Sequence, residues 1–390
     1  MKNTTTVVML LDNPLISDSR VEKEAVSFIN SGFNVIVYCV SDKNLPLEET
    51  RNGIAIKRIL SPFFQKPFGK NYNEELKLFA NKILQVSFDI LHCHDYMLMP
   101  LAALIKHKEP RIFLTYDSHE YLIGWPYYKE TPSLVNRLKG YLVWRRMLQN
   151  EKNASKSINA LLTSSTAISS ALKKRFKLPF AGISVRNIPE FKKLDPTISL
   201  RETLKISNNR KLLVHSGSVY MPLKFIEQLI RLINNSINLS LVFIGNRSIH
   251  GDLKEEYREA QHIHFIDYQP NLLLDQLASC DAGILYTRSK SYKAHQLGSS
   301  NKLMEYGLAG LPTIGTDQPA HQELKEQFNH IELFYENNIT SFKSATNRMI
   351  DLLPEKKKNA EGIKHSLSWK NEFRPVIELY KKVADRMAEA

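Results

Sequence analysis

The sequence predicts an α/β protein made of two doubly wound, parallel-sheet domains. At 390 residues the chain is too long for one ordinary core, since domains of roughly 100–200 residues imply two or three. Short, nearly continuous apolar runs of strand length recur in two series, with helix-period segments between them, as in parallel sheets covered on both faces. The rhythm breaks once, in IPEFKKLDPTISLRETLKISNNR, where Pro, Asp, Asn and Ser interrupt the apolar pattern near 188–207.

The first series comprises VVMLL (7–11), VIVYCV (35–40), DILHCH (89–94), RIFLTYD (111–117) and ALLTSS (160–165). Val21 to Phe28 has helical periodicity and Gly32 follows as its stop. The second series comprises KLLVHSG (211–217), LSLVFIG (239–245), IHFIDY (263–268), AGILYT (282–287) and LPTIGT (311–316). PLKFIEQLIRLIN (222–234) is a helix of that series, and the last segment reads as a helix interrupted near Pro375. The expected organisation is a first domain at 1–187, a linker at 188–207, a second domain at 208–372 and a C-terminal helix at 373–390 that packs back on the first domain. Two open α/β sheets of this kind bind ligands at the carboxyl ends of their strands, in a cleft between the domains.

Composition narrows the class. Hydrophobic residues at 43% and charged residues at 24% exclude collagen-like and wholly disordered chains. No apolar run reaches the ~18–20 residues of a spanning helix, and MKNTTTVVMLLD lacks a signal-peptide core and cleavage site. The expectation is a soluble, non-secreted protein. Cys39, Cys93 and Cys280 are sparse and embedded in apolar strings, which suits buried thiols rather than a disulfide framework or zinc site. The net charge is +13, and residues 101–200 carry ten of those charges. Such a local field attracts a lipid head group, a phosphorylated acceptor or nucleic acid. Nucleic acid fits least, because no recognition motif accompanies the charge.

SSNKLMEYGLAGLPTIGTD (299–317) is the most specific stretch. Ser299 or Ser300 suits an N-cap, Leu303, Met304 and Leu308 form an apolar face, and Gly310-Leu-Pro312 ends the helix. A helix opening on a Ser-rich loop offers backbone N–H groups and a positive dipole end to a phosphate. Glu305 lies about 7.5 Å further along the axis, in reach of a ribose diol. The competing reading is a capped structural helix with a solvated Glu. His92 and His94 alternate onto one face of their strand with Cys93 between them and Asp95 after, and read as a structural pair rather than metal ligands. Basic residues mix with Leu, Phe and Trp144 in LVNRLKGYLVWRRMLQNEK (134–152) and LKKRFKLPF (172–180). That pattern fits either a membrane-surface helix facing lipid with Lys139, Arg145 and Arg146, or a packed helix with its basic face in water.

Here the chain resembles the retaining GT-B nucleotide-sugar glycosyltransferases. Asn301 through Ile314 resembles the family's N-K-L-x-E-Y-x-x-A-G-x-P-x-I segment, and ISDSRVEKEAVSFINSGFNVIVY (16–38) resembles its opening. DILHCHD, TYDSHEY, LLTSSTAISSAL, RNIP, HSGSV, CDAGILY and SLSWKNE follow in family order over nearly the whole chain. The resemblance implies GT-B architecture, two facing Rossmann-like domains, and retaining, metal-independent transfer of a hexosyl group from a UDP- or GDP-linked sugar. The acceptor it implies is a glycan or glycolipid of cell-surface polysaccharide synthesis. No cofactor and no metal are implied, and no Asp-x-Asp pair occurs.

By the same resemblance Ser216, Gly217, Ser218, Ser299, Ser300, Asn301, Lys302 and Glu305 bind the donor. Lys224 resembles the cation that neutralises the departing diphosphate, with Arg186 as a second basic partner; a surface lysine and an acid-paired linker arginine are the plainer readings. His119 follows a strand and resembles a histidine lying against the donor sugar, or else caps a helix. Asp18 and Arg20 border the acceptor in the family, although Asp18 equally suits an N-cap. Leu297 stands where many members carry a second Glu that touches the sugar. The implied setting is cytoplasmic, peripheral at the inner face of the membrane. A GT-B epimerase or a non-catalytic sugar-nucleotide scaffold would share the architecture.

Overall fold

The structure, a computed structural model, describes residues 4–16, 18–41, 44–59, 71–189, 193–245, 249–288, 293–298 and 300–389. The chain divides into two compact units, Met1–Arg186 with Lys370–Ala390, and Asn187–Trp369.

The first unit holds β1 (Thr6–Leu11), β2 (Asn34–Val40), β3 (Glu48–Arg51), β4 (Ile54–Ile59), β5 (Ile90–His94), β6 (Phe113–Ser118), β7 (Ala160–Thr163) and β8 (Ile183–Ser184). Among the described residues they form one sheet in the order β3-β4-β2-β1-β5-β6-β7-β8, parallel except where β3 meets β4. Val7 pairs with Val35 on one side and Ile90 on the other, and Ile90 pairs with Phe113, so the central strands start level. β5 is buried throughout, which accounts for its unbroken apolar run. The pair β3–β4 stands outside the expected strands. Its turn is Asn52-Gly53, both at positive φ, the conformation a two-residue hairpin needs.

Asp18 caps the helix Ser19–Asn30, its side chain accepting from the Val21 N–H, and Gly32 at φ +91° follows the helix end. Val21, Ala25 and Phe28 form its buried face. The C-terminal helix runs unbroken from Trp369 to Glu389 with Pro375 inside it, where an interruption was expected. Pro375 removes one helical hydrogen bond. Burial of Phe373, Val376, Tyr380 and Val383 on one face offsets that loss, at roughly 1.5–3 kcal/mol per large apolar side chain. The Tyr380 and Phe28 rings stack 4.8 Å apart, joining this helix to the first unit.

The second unit holds β9 (Lys211–Ser216), β10 (Leu239–Gly245), β11 (Ile263–Asp267), β12 (Ala282–Leu285), β13 (Thr313–Thr316) and β14 (Ile331–Phe334). They form a parallel sheet in the order β11-β10-β9-β12-β13-β14. Alternate residues feed two cores: Leu212, Val214, Val242 and Ile244 face one, Leu213, Leu241 and Phe243 the other. Residues 188–207, read from sequence as a linker, contribute Ile188, Leu200 and Ile206 to the first of these cores. Between the described anchors the chain turns, as where the Ile198 N–H bonds the Asp195 carbonyl at 3.2 Å.

Candidate active site

In each sheet the strand order reverses once, between β1 and β5 in the first unit and between β9 and β12 in the second. Open α/β sheets receive ligands beyond the carboxyl ends of the strands at such a reversal. The chemistry-bearing residues collect at both.

In the first unit a buried ionic network underlies the ends of β5 and β6. Arg20 donates to both oxygens of Asp117 at 3.1 and 3.2 Å and to the Val185 carbonyl at 2.7 Å. It also pairs with Glu24 at 3.0 Å. The Tyr380 hydroxyl lies 2.7 Å from His92 Nδ1, and His92 Nε2 faces Glu24 and Asp117 at 3.4 and 3.6 Å. Burial opposes the charge on Asp117, but Arg20 and His119 outweigh it and hold the carboxyl well below the carboxylate range. Burial and Asp117 push Glu24 the other way, well above its ordinary value. Burial, with His92 and His119 beside it, pushes His94 well below the imidazole range. Glu24, His92, His94 and Asp117 are residue types that can hold a metal, and their ligand atoms lie within 4.8 Å of one another. The cation against both carboxylates is the Arg20 guanidinium.

His119 sits at the upper edge of this network, with Nε2 3.2 Å from Asp117 Oδ2 and Nδ1 3.3 Å from Asp95 Oδ2. Burial disfavours its charge, but the two carboxylates prevail and hold the imidazole well above its ordinary value. Asp12, at the end of β1, is pushed up to about 6 by burial and by Asp95.

In the second unit Gly217 follows β9 at φ +73°, a conformation a side chain would strain. A Cβ there would come 3.0 Å from Lys302 Cε. The Lys302 ammonium donates to the Ser218 carbonyl at 2.6 Å and lies 5.6 Å from the centre of the Tyr220 ring. Burial pushes Lys302 down to about 8, with Glu305 partly restoring it. Glu305 is itself raised by burial, and its charge reaches Tyr268 past the end of β11. Lys302 and Glu305 occupy the helix Asn301–Leu308. Gly310 at φ +65° turns the chain out of it, with the Gly310 and Leu311 N–H groups bonded to the carbonyls of Gly307 and Tyr306. Tyr306 anchors the loop from beneath: its hydroxyl accepts from the Ser216 N–H at 3.1 Å and donates to the Ile284 carbonyl at 3.3 Å.

Two family profiles match the chain, Glycosyltransferase Family 4 over residues 21–186 and Glycosyl transferases group 1 over residues 210–351. The chain belongs to the GT-B glycosyltransferases. No curated protein sequence matches it. Solved structures match nearly all of it: sucrose-phosphate synthase from Thermosynechococcus elongatus at 14% identity and TM-score 0.69, covering 97% of this chain and 99% of that one. The Anabaena protein HepE follows at 12% identity and TM-score 0.65, covering 99% and 100%. The lipopolysaccharide outer core galactosyltransferase WaaB aligns at 14% and 0.65, covering 96% and 100%. At these identities the structural likeness speaks for the fold.

The structure of this glycosyltransferase gathers some of the sequence-nominated residues and disperses others. Gly217, Ser218, Lys302 and Glu305 share the second-unit site. Ser216 is buried with its hydroxyl on Tyr306, so it supports the loop from below. Ser300 holds the N-cap position without a side-chain cap bond, Asn301 is exposed, and Ser299 lies outside the described residues. Lys224 is exposed on the first turn of the helix Leu223–Asn234. Arg186 grips Glu372 with Nε and Nη2, each at 2.9 Å, and is thus a tie between the end of the first-unit chain and the C-terminal helix. Arg20, expected at the acceptor border, is buried and carries the ion network instead. Asp18 is the helix cap. Leu297 ends the short helix Lys293–Leu297.

Asp117, Glu24 and Tyr380 escaped the sequence reading, which noted Asp95 only as the residue after His94 and gave it no role. Arg20 and Glu24 at i, i+4 were a legible pair, and Asp117, two before His119, shares its side of the strand. Nothing in the sequence signals that Tyr380 ends beside His92.

The helix Leu134–Ala154 divides along its length. Met147, Glu151 and Ala154 are buried, Glu151 accepting from the Tyr116 hydroxyl at 2.9 Å. Up to Arg146 it exposes Leu134 (77%), Val135 (63%), Leu138 (61%) and Leu142 (56%), together with Lys139, Arg145 and Arg146. Spacings of one, four and eight put those apolar residues on one face, which Arg145 at i+11 continues. Among the described residues no helix is long and apolar enough to cross a membrane.

Proposed function

We propose that this glycosyltransferase takes its sugar from a nucleoside diphosphate sugar held by the second unit. The observation that carries the reading is the arrangement of Lys302 and Glu305 on the helix opening at Asn301, against the left-handed Gly217 turn at the strand-order reversal. A missing Cβ lets a diphosphate approach the backbone, Lys302 supplies the countercharge, and Glu305 accepts from the ribose hydroxyls. HepE, solved with UDP and with UDP-glucose, supports a uridine or similar donor.

Transfer proceeds with retention and without a metal in this reading. The bond from the anomeric carbon to the diphosphate breaks, the acceptor oxygen bonds to that carbon from the same face, and the acceptor's proton passes to a diphosphate oxygen. Lys302, with the exposed Lys224 as a second cation, stabilises the leaving group, and His119 contributes positive charge. The acceptor is a glycan or glycolipid of the cell surface. The exposed apolar and basic residues between Leu134 and Arg146 support a peripheral position on an anionic membrane.

Thermal shift against UDP-, GDP- and dTDP-sugars tests the donor reading: the cognate ligand at ~100 times its Kd adds ~2.7 kcal/mol. Glu305→Ala should weaken that ligand by roughly 1.5–3 kcal/mol. Absence of a shift with every nucleotide sugar refutes the reading.

A further inference from the structure

We propose that Asp95 is the positioning residue of His119, clamping its main chain and its ring so that the imidazole serves as a fixed positive charge with neither nitrogen free to exchange a proton with substrate. This rests on the proposed glycosyl transfer for its catalytic meaning, but not for its geometry.

Asp95 follows β5 with φ +56°, a left-handed conformation uncommon for a residue with a side chain. Its N–H donates to the Asp117 carbonyl at 2.9 Å, which prolongs the β5–β6 ladder by one bond and pins the turn. From there its carboxylate reaches across to the next strand end. Oδ1 accepts the His119 N–H at 3.1 Å, and Oδ2 faces His119 Nδ1 at 3.3 Å. The His119 carbonyl is held as well, accepting from the Ser164 hydroxyl at 2.9 Å. A residue in ordinary extended backbone would send its side chain to one face of the sheet.

Each neutral form of the ring leaves one nitrogen lone pair facing a carboxylate oxygen. Nε2 faces Asp117 Oδ2 at 3.2 Å and Nδ1 faces Asp95, so either neutral tautomer would set a lone pair against a carboxylate. His94 Nδ1 lies 3.2 Å from His119 Nε2 on a ring that burial keeps neutral, and with its own proton on Nε2 it accepts from the His119 Nε2–H. Asp117 in turn is anchored by Arg20, which keeps it anionic beside the ring. The groups acting on His119 are thus Asp95 beyond β5, Asp117 on β6, His94 and His92 on β5, and Arg20 and Glu24 on the helix Ser19–Asn30. Asp12 beyond β1 and the neighbouring Glu120 also feel its charge. With both nitrogens engaged, the ring can stabilise developing negative charge by its field but cannot act as a general acid without breaking the clamp.

The test needs neither donor nor acceptor. In protein carrying 15N-histidine, ring nitrogen shifts are followed from pH 5 to 10, with His119→Gln assigning the resonance among the twelve histidines. Wild-type His119 should keep imidazolium shifts at both nitrogens well above the pH at which the exposed histidines lose them. Asp95→Asn, which keeps an oxygen for the His119 N–H but removes the charge, should lower the midpoint by about one pH unit or more. Unmoved signals from the other histidines outside the cluster would show that the fold persists. A neutral His119 at pH 7, or a midpoint unchanged in Asp95→Asn, overturns the proposal. Once the donor is known, the alkaline limb of kcat/KM should move down with the midpoint in Asp95→Asn. A limb that stays put while the midpoint moves also overturns it, since His119 charge would then not serve the reaction. Failure to transfer sugar from any nucleotide donor would refute the glycosyl-transfer reading while leaving the titration result standing.

Discussion

Binding of a nucleoside diphosphate should draw a proton from solution in a way that reports Lys302 directly. Burial holds this lysine at about 8 rather than its ordinary 10.5, so near pH 8 about half of the unliganded sites lack the proton. A diphosphate against Gly217 places negative charge beside the ammonium and restores the protonated form. Proton uptake on binding should therefore be about 0.1 at pH 7, about 0.5 at pH 8 and about 0.9 at pH 9. Calorimetry with UDP in buffers of different ionisation enthalpy measures it, and Lys302→Arg, charged throughout, should show none from this position. Lys302→Met should weaken UDP by roughly 1.5–3 kcal/mol, as loss of a charged hydrogen bond does. Linkage has a second consequence in the free protein. The folded value lies below the unfolded one, so burying the ammonium costs stability below pH 8 and stability should rise as pH climbs from 8 toward 10.5. Binding heats independent of buffer at pH 8 and 9, or equal uptake in Lys302→Arg, would refute the reasoning.

Two further outcomes are expected. Tyr380→Phe keeps the stack on Phe28 but strips the buried His92 Nδ1 of its hydroxyl partner, which should cost about 1–3 kcal/mol in urea unfolding; unchanged stability would remove Tyr380 from the network. Replacing Lys139, Arg145 and Arg146 together by Glu should abolish binding to anionic vesicles, leave UDP affinity intact, and mimic the effect of a few hundred millimolar salt. Wild-type protein that ignores anionic vesicles at low salt in co-sedimentation would end the membrane assignment.

Much of the fold was legible because parallel strands buried on both faces leave unbroken apolar runs. All ten expected strands exist, with LSLVFIG reproduced residue for residue as β10. The four others were harder. β14 is four residues long, β8 only two, and β3 alternates exposed with half-buried residues at the sheet edge, so it lacks an apolar signature. β4 shares its hairpin, for which Asn52-Gly53 was a signal available in the sequence. The Pro375 reading failed because a local rule met a buried face of four large side chains.

The same division runs through the candidate site. Sequence alone determined which short segments carry it: a histidine after a strand, and a lysine and glutamate on a helix after a Ser-rich loop. Those are local patterns, set by strand ends, helix period and turn residues, and they survive folding. Partners at a distance in sequence were decided only by the tertiary structure. Arg20 is an exposed-looking residue in a first loop until Asp117 and Val185 close over it. Arg186 reads either as a second basic partner for a diphosphate or as an acid-paired arginine, and Glu372, arriving from the far end of the chain, decides for the pair. His119 reads as a histidine against a sugar or as a helix cap until Asp95 and Asp117 occupy both its nitrogens. The reason is electrostatic: an ionisable group's character depends on desolvation and on charges within a few ångströms, and neither is written in its own neighbourhood of the sequence.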